Sequence, residues 1–232
     1  MSLEPLLYNP PLEPRLMIIH EDRDMLVVNK PSGLLSVPGR TPDLFDSVLS
    51  RVREIHPGAQ AVHRLDLGTS GVLVVATRRK AEAVLRQQFQ DRLTRKAYLA
   101  RVRGMLREDS GQVDLPLICD WPNRPRQMVC HDTGKPALTD YLVLERLADS
   151  TLVLLRPHTG RSHQLRVHMA SLGHPILGDN LYGDALQGER LLLHASQLGL
   201  YHPYSQAWIV FHAPCDFAGH IGPIELGDPA QA

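Results

Sequence analysis

The chain has 232 residues, 43% hydrophobic and 22% charged, with 25 acidic residues balanced by 25 Lys and Arg for a net charge of zero. This composition excludes a disordered or low-complexity chain, and the length suits one large domain or two lobes over a shared core. No apolar run approaches the ~20 residues of a membrane helix. Met1–Pro5 lacks a basic stretch leading into an apolar one, and three cysteines without CxxC spacing argue for reduced thiols and against a zinc ribbon. The expectation is a cytoplasmic protein that needs no membrane.

Residues 1–14 carry four prolines and read as an extended leader. Met17-Ile18-Ile19 and Met25–Asn29 are short apolar runs joined by a charged tetrapeptide, the pattern of a β-hairpin. Lys30-Pro31-Ser32-Gly33 is turn chemistry. Asp46 is the expected cap of a helix with Val48, Leu49, Val52 and Ile55 on one face. The run Val72–Ala76 predicts a buried strand. Thr77 is the expected cap of a helix reaching about Leu93, with Arg78, Arg79, Arg86 and Arg92 outward. Residues 97–103 alternate as a strand, and Leu115–Lys135 reads as an irregular insert. Strands are expected at 137–146 and 151–156, a helix capped by Ser162 reaches about Ser171, and late strands fall at Leu191–Leu193 and Trp208–Phe211. Strands outnumber helices without a repeating βαβ order. The fold class is therefore α+β, with a mixed, largely antiparallel sheet and flanking helices. Residues 1–217 read as one domain and 218–232 as a tail without a signal.

The neutral total conceals an asymmetry. Between Arg51 and Arg107 there are 13 Lys or Arg and four acids; from Val167 onward there is one arginine against six acids. Arginines outnumber lysines 21 to four, and the guanidinium fork suits phosphates and base edges. A positive nucleic-acid face and a merely solvated helix surface explain this charge equally well.

The densest chemistry lies in His63-Arg64-Leu65-Asp66-Leu67-Gly68-Thr69-Ser70-Gly71. Taken alone, Asp66 reads as a turn residue whose carboxylate binds nearby backbone N–H groups. Arg64, two residues earlier, shares its face if the segment is extended. About 100 residues later comes Thr159-Gly160-Arg161-Ser162-His163-Gln164-Leu165-Arg166-Val167-His168. A carboxylate facing Arg166 would stay ionised and serve as nucleophile or base. Lys96-Ala97-Tyr98-Leu99-Ala100 places a tyrosine on a strand, where a core role is the simpler reading for a lone aromatic. His163 and His168 are five apart and lack a third ligand in register, so no metal site is expected.

These three segments, in this order, resemble the signature motifs of the RluA family of RNA pseudouridine synthases. Val28–Gly33, Gly173–Asp179 and Leu191–Ala195 extend the similarity over nearly the whole chain; Leu67 and Gly68 depart from the Met-Ala expected inside the signature. The resemblance implies the pseudouridine synthase catalytic fold without an N-terminal S4-type RNA-binding domain. It implies Asp66 as the catalytic aspartate, Arg166 as its ion-pair partner and Tyr98 as the residue stacking on the target base. Arg64 would manage the flipped uridine. Arg161 and His168, with Arg78 and Arg86 on the basic helix, are the expected RNA contacts, and His163 is expected in structural hydrogen bonds.

The reaction so implied cleaves a uridine's N-glycosidic bond and rejoins the base through C5, with no cofactor, no metal and no obligate protein partner. The base must leave its stack, which costs a few kcal/mol in a duplex and less in a loop. Small stem–loops are therefore the expected substrates, and the resemblance implies those of tRNA and 23S rRNA. Two rivals are a non-catalytic RNA-binding protein and a carboxylate-based glycosidase, which needs a second carboxyl group roughly 5 Å away.

Overall fold

The computed structural model of the chain describes residues 8–185, 189–219, 221 and 224–231. Strands β1 (Ile18–Glu21) and β2 (Met25–Lys30) form the expected antiparallel hairpin, followed by α1 (Val48–Ile55), β3 (Gln60–Ala61) and β4 (Ser70–Ala76). After α2 (Arg79–Gln90) come β5 (Arg95–Arg103), β6 (Ser110–Asp114), β7 (Leu117–Cys119) and β8 (Gln127–Val129). The chain continues through β9 (Leu138–Arg146), β10 (Ser150–Pro157), α3 (Gln164–Ser171), β11 (Leu193–Tyr201) and β12 (Trp208–His212).

Ten of these strands form one sheet in the order β1-β2-β4-β11-β5-β10-β9-β6, with β3 on β4 and β12 on β11. Only β4 and β11 pair in parallel, over two residues each, before β3 takes the edge of β4 and β12 that of β11. The fold is α+β with a mostly antiparallel sheet. At the parallel contact a Cβ on Gly71 (φ +111°) would stand 2.2 Å from Ala195 O, so only glycine fits. Gly71, Ala195, Tyr98 and Leu155 then lie in one row across β4, β11, β5 and β10. That row carries the site.

Both faces of the sheet are covered. Leu26, Val28, Leu73 and Val75 pack with Val48, Leu49 and Val52 of α1, while Val72 and Val74 pack with Ala81 and Leu85 of α2. Leu165 and Met169 of α3 close a third cluster with Val153 and Leu155. The described C-terminal residues have a place: Ala218, Ile221, Ile224 and Leu226 pack on Ala97, Leu99, Leu152 and Leu154.

Helix starts depart from the expectations in an instructive way. The cap of α1 is Ser47, whose side chain accepts from Ser50 N in a capping box, because Asp46 is spent on the buried Arg51 at 2.7 and 2.8 Å. Thr77 does not cap α2; its hydroxyl donates to Arg23 O, and the helix starts at Arg79 without a side-chain cap. It ends at Gln90, short of Leu93, with Arg92 in the left-handed region. Nor does Ser162 cap α3, since His163 holds the N-cap position at φ 54°. Residues 115–135 are less irregular than expected, because β7 and β8 pair as an antiparallel hairpin. The strand expected from Leu191 begins at Leu193.

Candidate active site

The signature segment is the connection from β3 to β4, and it is clamped from behind by the turn after β2. Ser36 Oγ donates to Leu65 O and accepts from Leu65 N, Gly33 N donates to Leu67 O, and Ser32 Oγ donates to Gly68 O. Below them Lys30 is fully buried, and its Nζ donates to Pro31 O, Leu34 O and Leu67 O at 3.0, 2.6 and 3.1 Å. An ammonium has three donors, and here each meets a carbonyl. Burial pulls the Lys30 pKa down to about 7, against the raising effect of the Asp66 charge. The Lys30–Gly33 turn and the signature are thus one structural unit, which explains why both appear in the chain.

This clamp presents Asp66, its side chain 24% exposed, to a cleft of about 510 Å³. Among the described residues Asp66 is the only acid lining that cleft, against Arg64, Arg92, Lys96, Arg161 and Arg166. Tyr98 projects into it from β5. Burial, reinforced by the Asp66 charge, raises the Tyr98 pKa, so the phenol stays neutral.

Arg166 Nη1 stands 3.5 Å from Asp66 Oδ2, as expected. Its stronger partner was not expected. Asp179, itself buried, accepts from Arg166 Nε at 2.8 Å and Nη2 at 2.7 Å, and also from Leu181 N and Tyr182 N. Burial raises the Asp179 pKa, but those hydrogen bonds outweigh it and hold the carboxyl below its usual range.

His163 Nε2 is 3.9 Å from Asp66 Oδ2, and Nδ1 lies 2.7 Å from Tyr182 Oη. Tyr182 Oη accepts from Gln127 N at 2.7 Å, which leaves its single proton for His163 Nδ1. When that proton is donated, the neutral imidazole carries its own proton on Nε2, facing Asp66. Burial lowers the His163 pKa, which favours that neutral form, and burial raises that of Tyr182 to about 12. A non-glycine residue in the left-handed region costs about 1–2 kcal/mol, so His163 is held there by its surroundings.

His63 lines the opposite wall. Its Nε2 accepts from Val74 N at 3.0 Å and its ring stacks on Phe89 at 4.4 Å. Burial first, and the Lys96 charge second, push its pKa down to about 3. Ser70 Oγ bonds His194 Nδ1 at 2.8 Å, a structural link between β4 and β11.

The structure thus brings Asp66, Tyr98, Arg166, Arg64 and Arg161 together, and corrects one expectation. His168 is fully buried, bonded to Thr139 Oγ1 and Leu115 O, and has no route to RNA. Arg78 and Arg86 lie outside the cleft. Arg78 is paired with Asp24, and Arg86 with Glu82 and Ala61 O. Asp179, Lys30, Tyr182 and Lys96 escaped the sequence reading; Gly178-Asp179 was visible as a motif, but its partner was not. A second cluster, Asp22, Asp24 and His202, brings ligand atoms within 4.8 Å, but Asp22 is occupied by His20 and by two backbone N–H groups.

The chain is similar to known proteins over most of its length. Residues 24–171 match the family model described as RNA pseudouridylate synthase. The chain is 56% identical over 214 residues to the dual-specificity RNA pseudouridine synthase RluA of Escherichia coli K12, covering 90% of this chain and 98% of the relative. It is 56% identical over 218 residues to the protein of that name from Vibrio vulnificus, covering 90% and 87%. Among solved structures, human RNA pseudouridylate synthase domain containing 1 aligns with a TM-score of 0.71 at 34% identity, over 86% of this chain and 83% of that one. Human RNA pseudouridylate synthase domain containing 4 aligns at 0.69 and 27% identity, over 86% and 88%. The chain belongs to the RNA pseudouridylate synthase family, in its RluA branch, and is an RNA-modifying isomerase.

Proposed function

We propose that this enzyme converts uridines in tRNA anticodon stem–loops and in a 23S rRNA loop to pseudouridine in the cytoplasm, with Asp66 as the catalytic residue. The observation that carries the reading is Asp66 as the sole acid, among the described residues, in a cleft lined by five Lys and Arg, 3.5 Å from Arg166. Such a cleft attracts a polyanion while presenting one carboxylate to a flipped nucleotide. Residues 1–217 act as one catalytic domain, a reading supported by the sheet that runs from β1 to β12.

In the reaction N1–C1′ breaks, C5–C1′ forms, and the proton on C5 is replaced by one on N1. Atoms and electrons balance within the nucleotide. The Asp66 carboxylate can attack C1′, attack C6 of the base, or take the 2′ proton. Tyr98 stacks as a neutral ring on the loosened base, Arg166 orients the carboxylate, and Arg64 fills the gap in the RNA. A two-carboxylate glycosidase is disfavoured, since among the described residues the cleft offers Asp66 no acidic partner.

The test incubates unmodified tRNA and 23S rRNA transcripts with the wild-type protein and Asp66→Ala, and maps pseudouridine and free uracil. Site-specific pseudouridine from wild type alone, with RNA binding retained by the variant and no uracil released, is expected. Equal product from both proteins, or uracil release, would overturn the reading.

A further inference from the structure

Residues 120–126 form the tip of the β7–β8 hairpin. Trp121 is 65% exposed, with the Arg124 guanidinium 3.4 Å from its ring centroid. Phe45 and Tyr204 are comparably exposed, but among the described residues neither has a guanidinium over its ring. Arg124 also lacks a carboxylate partner among the described residues, so its charge is not neutralised at the tip. The neighbouring acid, Asp120, is spent on Asn123 Nδ2 at 2.9 and 3.1 Å.

The tip is held in shape. Asp120 N donates to Arg126 O, Arg126 N to Asn123 O and Asn123 N to Asp120 O, each at 3.0 Å, with Pro122 and Pro125 between them. An indole on such a frame presents its ring with little entropy left to lose. If the stack served only to pin the tip, the ring would gain by lying down against the protein. It stands out instead.

The hairpin root joins the tip to the cleft. Leu117 and Val129 pack with Val167 of α3 and with Tyr182. The Gln127 amide donates to Tyr182 Oη, which reaches His163 beside Asp66. Two side chains therefore separate the hairpin backbone from the catalytic carboxylate. Trp121 lies two residues beyond the Cys119–Gln127 pair, at the start of a 3₁₀ turn.

We infer that Trp121 and Arg124 form a second RNA contact, a stacking platform for one unpaired base of the substrate loop, separate from the target uridine held at Tyr98. Unstacked bases pair naturally with aromatic faces and guanidinium planes, and each stacked base is tolerant of sequence. The cationic cleft, linked to the hairpin root through Tyr182 and His163, attracts the same RNA. The platform selects looped over paired RNA without reading base identity.

The test titrates an anticodon stem–loop transcript, and the blunt duplex of its stem alone, into wild type and Trp121→Phe. The fluorescence difference isolates Trp121 from Trp208. Quenching of that difference signal by the stem–loop and not by the duplex is expected. Trp121→Ala raises KM and the binding Kd on the order of tenfold, leaves kcat at saturation unchanged, and is largely rescued in Trp121→Phe. Thermal melting of each variant separates these effects from misfolding, and the fluorescence arm stands even if Trp121→Ala fails to fold. The binding arms need no turnover, so they are independent of which uridine is isomerised. No Trp121 quenching, equal quenching by duplex, or an unchanged KM in a folded Trp121→Ala would overturn the inference.

Discussion

Asp179 grips Arg166 through Nε and Nη2 at 2.8 and 2.7 Å, which leaves only Nη1 to face Asp66 at 3.5 Å. The Asp66 carboxylate is therefore approached by an arginine whose direction is set by a second, fully buried carboxylate. A buried pair is expensive to break because the survivor stays charged in a poor solvent.

Asp179→Asn keeps an oxygen for Leu181 N and Tyr182 N but leaves Arg166 uncompensated. The expected cost is about 3 kcal/mol, a fall in Tm of roughly 10 °C for a chain of this size. kcat should fall while RNA affinity holds, because Arg166 is no longer aimed. The Asp179 pKa is lowered in the folded state, so its contribution is present above the unfolded carboxyl pKa of ~3.9 and lost as pH falls below it. Thermal melts against pH should show that acid-side loss in wild type and a flatter curve in the variant.

Lys96 lines the cleft, and burial, with the Arg92 charge adding to it, pulls its pKa down to about 8. RNA affinity should therefore weaken between about pH 7 and pH 9 as the ammonium is lost, and Lys96→Arg should remove that dependence. Stability should move the other way. From about pH 8 to ~10.4 the unfolded lysine binds more protons than the folded one, so the folded state gains as pH rises. Affinity and melting temperature measured on the same pH series separate the two effects; parallel changes would refute this assignment.

Tyr182→Phe removes the hydroxyl that bonds His163 Nδ1 and receives the hairpin amide. A loss of roughly two- to tenfold in kcat is expected, the worth of one hydrogen bond. The pH–rate profile should shift as well, because Nδ1 is freed to take a proton. A change in KM alone would place Tyr182 in RNA binding.

Arg64 is exposed in the cleft, whereas Arg86 is tied to Glu82 and Ala61 O. Arg64→Ala should weaken binding and reduce the slope of log affinity against log salt by about 1 if it meets a phosphate. Arg86→Glu should act in the same direction but less. An unchanged affinity would make the α2 surface a solvated face.

The expected basic flank survives only in part. Arg51, Arg78, Arg101 and Arg103 are paired with Asp46, Asp24, Glu145 and Asp184. Charge counted along a chain ignores pairing between distant segments, and the cleft collects its cations from three separate ones, around Arg64, Arg92–Lys96 and Arg161–Arg166.

Local pattern was enough for much of this protein. Alternation and apolar runs placed β2, β4, β5, β9 and β10, because a strand's side-chain period is written in adjacent residues. Three motifs, through their resemblance to the family's, pointed to Asp66, Tyr98 and Arg166; taken alone, Asp66 reads as a turn residue and Tyr98 as a core aromatic. Tertiary structure alone decided what those groups touch. It turned His168 inward, moved the caps of all three helices, matched Lys30 to the carbonyl of Leu67, and set Asp179 behind Arg166. These contacts join residues from 13 to 53 positions apart, and no periodicity links such pairs. They follow from which strands lie side by side, and the two-residue parallel contact at Gly71 and Ala195 is where that ordering brings the site together.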